Sequence, residues 1–436
     1  MSTAMPARPT PQQLAWADAE VGVIIHLDVQ VFEPSYAFRD WGVQPQPAVF
    51  APTALDTDQW LETAAAAGAR YAVLVAKHCS GFCLWPTAAH GYSVRSSPWR
   101  HGQGDVVADF VASCRRHGIR PGIYYSTACN AFCDVDNPGL VRSGSATAQA
   151  AYNRIVEQQL LELWTRYGQW FEIWFDGGVL GVAEGGCDVA GLLARYQPEA
   201  LLFQGPAARG NLLRWTGNEL GWAAPDCWSA SDVLSCDDGV ASREDLAGSA
   251  DGRHWAPVEV DLPNRQPDRA YMGGWFWRAG EDGLVIPAET LFARHLTSVG
   301  RNANLLLGMA IGADGRVPEA DVAAMRGYGE LVRRRLGTPC AQVDDRTGDR
   351  VQLDLPAPCE LGHVGIMEDQ SDGQAIRAWR LDAGLHGQWV AVASGASVGH
   401  LRLVATPGLR ADAVRVVVTT AAGTPRLRRL AAYPAG

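Results

Sequence analysis

Residues 152–178 read Tyr152-Asn-Arg-Ile-Val-Glu-Gln-Gln-Leu-Leu-Glu-Leu-Trp-Thr-Arg-Tyr-Gly-Gln-Trp-Phe-Glu-Ile-Trp-Phe-Asp-Gly-Gly178 and hold one whole structural unit. Tyr152, Ile155, Val156, Leu160, Leu163, Trp164 and Tyr167 recur at three- and four-residue steps, which places them on one face of a helix. Gly168 ends it, because glycine accepts the left-handed backbone that closes a helix. The run Trp170–Phe175 is too apolar for a half-exposed strand and suits one buried on both faces, as in a parallel sheet. It stops at Asp176-Gly177-Gly178.

The same unit recurs on both sides. A first strand spans Val21–Leu27, a helix Asp56–Ala67 ends at Gly68, and a second strand follows at Tyr71–Ala76. Val106, Val107, Phe110, Val111 and Cys114 mark a helix stopping at Gly118, before the strand Pro121–Ser126. Downstream, Ala200–Gln204, Leu212–Trp215, Tyr271–Trp277 and Asn304–Leu307 read as strands, and Val189–Tyr196, Pro287–Val299 and Glu319–Leu336 as helices. About eight strands alternating with helices predict an α/β chain with a (β/α)8-like TIM barrel in preference to an open doubly wound sheet. Between Pro206 and Asp268 the units give way to loops rich in Gly, Trp and Asp, so the second half is expected to be irregular, with one or two helices missing or reduced. After Thr338-Pro339 short alternating runs such as Val351/Leu353/Leu355 and Val414/Val416/Val418 predict an antiparallel β-sandwich. The expected domains are residues 1–337 and 338–436, packed directly together.

Thirty-seven basic against 47 acidic residues leave a net charge of -10 on 436 residues, with no Lys/Arg block. That gives no footprint for nucleic acid or an anionic membrane face. No run reaches the roughly 18 apolar residues of a membrane span, and Met1–Gln13 lacks an apolar signal core, so a cytoplasmic location is expected. The 10 cysteines are irregularly spaced, and a chain of this size needs no disulfide framework. Cys79/Cys83 and Cys129/Cys133 do not have the usual structural zinc spacing. The 16 tryptophans exceed what such a core needs, and flat indoles stack on the apolar faces of sugars, although packing accounts for part of them.

In such a barrel the reacting groups sit at the carboxyl ends of strands. Five places qualify: His26 with Asp28, Lys77 with His78, Ser126 to Cys129, Asp176, and Asn218 with Glu219. Asp176, beside Trp174 and before two glycines, has the setting of a nucleophile under a sugar ring, or of a capping residue. Glu219, in a Gly- and Trp-rich loop, is either a general acid raised by apolar surroundings or a solvated carboxylate. Paired carboxylates on one rim are what glycoside hydrolysis requires. His26 and His78 suit hydrogen bonds to sugar hydroxyls or satisfied core positions. A metal is not expected, since His26-Leu-Asp28 lacks an H-x-H pair and no third histidine stands at a strand end. No nucleotide site or other cofactor motif is present.

Gly22–His26, Ala67–His78, Gly81-Phe82, Gly118–Ser126, Gln159–Leu163 with Tyr167-Gly168, and Trp174-Phe-Asp-Gly177 together resemble the retaining α-L-fucosidases of glycoside hydrolase family 29, over nearly the whole chain. The resemblance extends to the C-terminal Trp389–Leu403 region. It implies a nucleophile at Asp176 and an acid/base at Glu219, whose Trp215-Thr-Gly-Asn-Glu219 context matches the branch acting on α-1,3/1,4 linkages, with Glu259 as runner-up. Sugar-binding roles fall by the same resemblance on His26, Asp40, Trp41, His78, Trp174 and Trp275, with Glu33 competing with Asp40. Where the family usually carries Lys-His-His-Asp-Gly-Phe, this chain has Lys77-His-Cys-Ser-Gly-Phe82. Cys79 cannot supply the second histidine's hydrogen bond. The expectation is therefore an exo-α-L-fucosidase acting on fucosylated oligosaccharides without cofactor. A related sugar such as an α-L-galactoside, a binding barrel that has lost turnover, and a metal hydrolase using His26, His78 and Asp176 are the alternatives.

Overall fold

The computed structural model describes residues 7–37, 40–206, 210–234 and 246–435. Eight parallel strands close into a barrel in chain order: β1 (Val21–His26), β2 (Tyr71–Lys77), β3 (Arg120–Tyr125), β4 (Glu172–Trp174), β5 (Leu201–Phe203), β6 (Leu212–Trp215), β7 (Val258–Leu262) and β8 (Ala303–Ala310). Helix α1 (Pro11–Ala17) precedes β1, and α2 (Thr57–Ala66), α3 (Val106–His117), α4 (Ala146–Arg166) and α5 (Val189–Tyr196) follow the first four strands. α6 (Ala288–Thr297) and α7 (Glu319–Leu336) follow β7 and β8. Asp56 and Asp105 cap the N-termini of α2 and α3 with their carboxylates, and Gly118 closes α3 at φ 64°.

Alternation along each strand builds two cores. Val21, Val23 and Ile25 of β1 face outward, in the layer packed by the helices. Ile24 instead joins Tyr71, Val73, Tyr124, Trp174, Phe203 and Leu306 in the core inside the barrel. Gly22 makes room there, because a Cβ at that position would lie 2.4 Å from the Tyr71 ring. Buried acids share this interior. Glu172 accepts the Trp16 indole N–H at 3.0 Å, and Glu259 accepts the Tyr71 hydroxyl at 2.7 Å and the Trp174 indole N–H at 2.9 Å. Burial raises the proton affinity of both, and Glu172 rises further against the charge of Glu259.

One strand expected from sequence is elsewhere. Tyr271–Trp277 is not a barrel strand: Tyr271–Gly274 forms a 3-10 turn, with positive φ at Met272, Gly273 and Gly274. Three such residues in succession cannot continue a strand. The seventh strand is Val258–Leu262, whose outward Val258, Val260 and Leu262 alternate with inward Glu259 and Asp261. The second half is irregular, as its loops suggested. Residues 204–211 join β5 to β6, too few for a packed crossover helix, and among the described residues β6 leads to β7 through loops, a helical residue at Leu246 and the ribbon Ala230–Ser231 with His254–Trp255.

Six antiparallel strands follow: β9 (Ala341–Thr347), β10 (Arg350–Glu368), β11 (Ile376–Leu385), β12 (Gln388–Gly395), β13 (Arg402–Ala421) and β14 (Arg426–Pro434), in the order β9-β14-β10-β13-β11-β12. The arrangement is consistent with the expected β-sandwich. It has its own core around Leu361, Ile366, Trp379, Leu381 and Val414. Asn302 pins this unit to the barrel: its amide N–H reaches Cys227 O at 3.0 Å, and its Oδ1 accepts from His400 N at 2.7 Å. The Ser397 hydroxyl donates to Cys227 O at 2.6 Å, and Arg402 meets Asp226 at 3.0 Å. Among the described residues no helix is long and apolar enough to cross a membrane.

Candidate active site

Two adjoining cavities open at the carboxyl ends of the barrel strands. The larger, about 330 Å³, is lined by His26, His78, Tyr124, Trp275 and Phe276 among others, and the smaller, about 200 Å³, by Ser126, Cys129, Asn137, Gln204 and Trp215. Cys79, Trp174, Asp176, Glu219 and Asp261 line both. Residues separated by long stretches of sequence thus meet at one place.

Asp176 stands where the extended backbone of β4 runs out. Phe175 still donates its N–H to Phe203 O at 3.0 Å, and Gly177 then turns with φ 72°. A side chain on β3 holds the carboxylate: the Tyr124 hydroxyl donates to its Oδ2 at 2.6 Å. Burial, and next the charge of Asp176, raise the Tyr124 phenol well above its usual pKa, so it stays a donor. Behind it runs a column of rings, with His78 and Tyr124 centroids 5.8 Å apart, Tyr124 and Trp174 5.5 Å, and Trp174 and Phe203 3.9 Å, each pair stacked. The Trp174 indole is tied below to Glu259. The nucleophile candidate therefore rests on a layer with little freedom to shift.

Glu219 is held differently. It lies exposed in the turn after β6, its Oε2 accepting the Trp275 indole N–H at 3.1 Å. Asp261, at an inward position of β7, accepts the Trp215 indole N–H at 2.8 Å. Burial first, and the nearby Glu219 charge next, push its carboxyl well above the usual range. Glu259, the runner-up acid/base, lies two residues earlier on that strand and does not line either cavity. Both its oxygens are engaged within the barrel interior, which removes it as a group that could reach a glycosidic oxygen.

His26 and His78 lie side by side, ring centroids 6.2 Å apart, each edge-on to Phe276. Burial lowers both to about 3, so they stand as neutral imidazoles that can offer a donor and an acceptor to hydroxyls. The Trp275 ring lies 5.1 Å from His26 and walls the larger cavity. Asp40 and Trp41 line neither cavity: Asp40 is exposed and accepts Ala37 N at 2.9 Å, and Trp41 lies under the Arg142 guanidinium at 4.8 Å. Glu33 lines neither cavity and accepts the Ser35 hydroxyl. Sequence spacing missed Tyr124 and Asp261. Their signal was the inward phase of two strands, readable only once the strands are fixed. Among the described residues, the group close enough to share a metal ion is His78, Cys79 and Asp176, with ligand atoms within 4.8 Å of one another. His26 is not part of it.

The α-L-fucosidase family model matches residues 12–335, the whole barrel. The chain belongs to the α-L-fucosidase family. It is thus a glycoside hydrolase. α-L-Fucosidase 1 of Arabidopsis thaliana is 27% identical over 472 residues, covering 98% of this chain and 87% of that one. A structure of a candidate α-L-fucosidase from Bacteroides thetaiotaomicron superposes with a TM-score of 0.91 at 33% identity, covering 99% of this chain and 100% of the other. A Ruminococcus gnavus family 29 fucosidase solved with fucose shares the fold, with a TM-score of 0.82 at 22% identity over 100% of this chain and 97% of that one. The fucosidase match spans the loops that carry Asp176 and Glu219.

Proposed function

We propose that the chain is a retaining exo-α-L-fucosidase. The Asp176 carboxylate attacks the anomeric carbon while Glu219 protonates the departing glycosidic oxygen, giving a fucosyl ester on Asp176. Glu219, now ionised, takes a proton from water, which attacks the same carbon and frees Asp176. The observation that carries this reading is that both carboxylates line the same pair of cavities, one fixed by a tyrosine and one exposed on a loop. The larger cavity suits the terminal sugar: neutral His26 and His78 meet hydroxyls, Trp275 offers a flat face, and Phe276 with Met272 offers an apolar wall to a 6-deoxy methyl group. The smaller cavity suits the next residue of an oligosaccharide. A preference for α-1,3/1,4 linkages rests on the Gly217-Asn218-Glu219 motif. Incubation with a 2-fluoro-fucoside and peptide mass mapping is expected to label Asp176; a label on another residue overturns the assignment. Fucosylated oligosaccharides of defined linkage then test the preference.

A further inference from the structure

We propose that the active-site cavity also binds one thiophilic divalent cation, of the zinc and cadmium class, through His78, Cys79 and Asp176 with Cys129 as fourth donor, and that ion and sugar exclude each other. The donor atoms of the first three lie within 4.8 Å of one another, and the Cys129 side chain is hydrogen-bonded to that of Cys79. In a tetrahedral zinc site, metal–ligand bonds of about 2.0–2.3 Å put neighbouring donors about 3.5 Å apart, so His78, Cys79 and Asp176 need only about 1 Å of movement, while Cys129, outside that group, has to turn toward the ion from its contact with Cys79. One nitrogen, two sulfurs and one carboxylate oxygen form a donor set that this class of ion favours over magnesium or calcium.

The frame is suited to holding that shell. Ala131 N donates to Cys79 O at 2.7 Å and Phe132 N to Ser80 O at 3.2 Å, so the loops after β2 and β3 that carry the two thiols are stitched together. His78 and Asp176 are only half-buried and face the cavity, which gives an ion its way in. Binding forms a metal–sulfur bond as each thiol releases its proton to solvent, while imidazole and carboxylate donate lone pairs. Exclusion follows because an ion seated among these donors fills the cavity space in front of Asp176 that the sugar's anomeric carbon needs, and draws charge from the carboxylate that would attack it. This last part rests on the assignment of Asp176 as nucleophile.

Cadmium titration of the full chain tests the site through the thiolate-to-cadmium charge-transfer absorption. Cys340 and Cys359, with sulfurs 3.7 Å apart in the C-terminal sheet, give a background, so the reading is the difference between the parent chain and Cys79→Ser. The parent is expected to show one additional equivalent, lost or weakened more than about tenfold in Cys79→Ser, and saturating L-fucose is expected to suppress it. Absence of that difference overturns the site. If Cys79→Ser fails to fold, the fucose-sensitive band of the parent decides: its presence supports the proposal and its absence overturns it. A Cys79-dependent band together with fluoro-fucoside labelling away from Asp176 leaves the ion site standing and removes the nucleophile assignment instead.

Discussion

The two halves of the barrel differ in how they carry the site. Through β4, each strand is followed by a helix, and the groups presented, His26, His78 and Asp176, lie at or just beyond strand ends. From β5 onward, Glu219 stands on a turn and Trp275 just beyond a 3-10 turn. On the proposed mechanism, the regular half holds the carboxylate that must stay still beneath the reacting carbon. On that mechanism the loop-built half holds the acid, which per turnover gives one proton to the leaving oxygen and takes one back from water.

Substitutions can break that contrast. Asp176→Ala is expected to lower kcat by about 10,000-fold or more on every fucoside, since no neighbouring group can replace a missing nucleophile. Glu219→Ala should cost about 100- to 10,000-fold on oligosaccharides. The loss should be much smaller on an aryl fucoside with a good leaving group, and azide should rescue turnover. If Asp261→Asn shows that leaving-group dependence and Glu219→Ala does not, the acid belongs to β7 and the contrast fails.

Tyr124→Phe sharpens it. Loss of one hydrogen bond to a carboxylate, about 1.5–3 kcal/mol, should slow hydrolysis about 10- to 150-fold. The acidic limb of kcat/KM should move to higher pH, because Asp176 loses a donor that favours its ionised form. An unmoved limb would leave Tyr124 with a packing role only.

The smallest effect is on stability and lies in the regular half. Burial raises Asp28 to about 7, although it accepts the Ser80 hydroxyl at 2.8 Å. Between its unfolded pKa near 4 and that value the folded chain binds more protons than the unfolded one, so stability should fall as pH rises through this window. Asp28→Asn should flatten that part of a Tm-against-pH profile, measured by scanning calorimetry.

Sequence periodicity was most informative where hydrophobic alternation was unbroken. Helices α5 and α7 and strand β6 match their expected limits at Val189–Tyr196, Glu319–Leu336 and Leu212–Trp215. It failed at β7 because acids occupy the inward positions, and a parallel strand is recognised by being apolar on both faces. The aromatic run Tyr271–Trp277 drew the assignment instead, although its glycines take a backbone that no strand allows. At the site, Asp176 and Glu219 were legible as polar groups ending apolar runs. Tyr124 and Asp261 were not, since each matters only through a partner from a distant strand. Asp40 and Trp41 show the limit of carrying roles across a loosely matched loop.

The seam at Asn302 has a practical consequence. Asp226, Cys227 and Ser229, in the chain that leads away from the Glu219 turn, are bonded to Arg402, Ser397 and Gln374 of the C-terminal unit. That unit splints the stretch between β6 and β7, where the described residues form loops and a short ribbon in place of a full crossover helix. Shortening the enzyme after α7 would therefore loosen the Glu219 side of the site before the Asp176 side; on the proposed mechanism this gives a protein that still takes up inhibitor covalently but turns over natural glycans poorly.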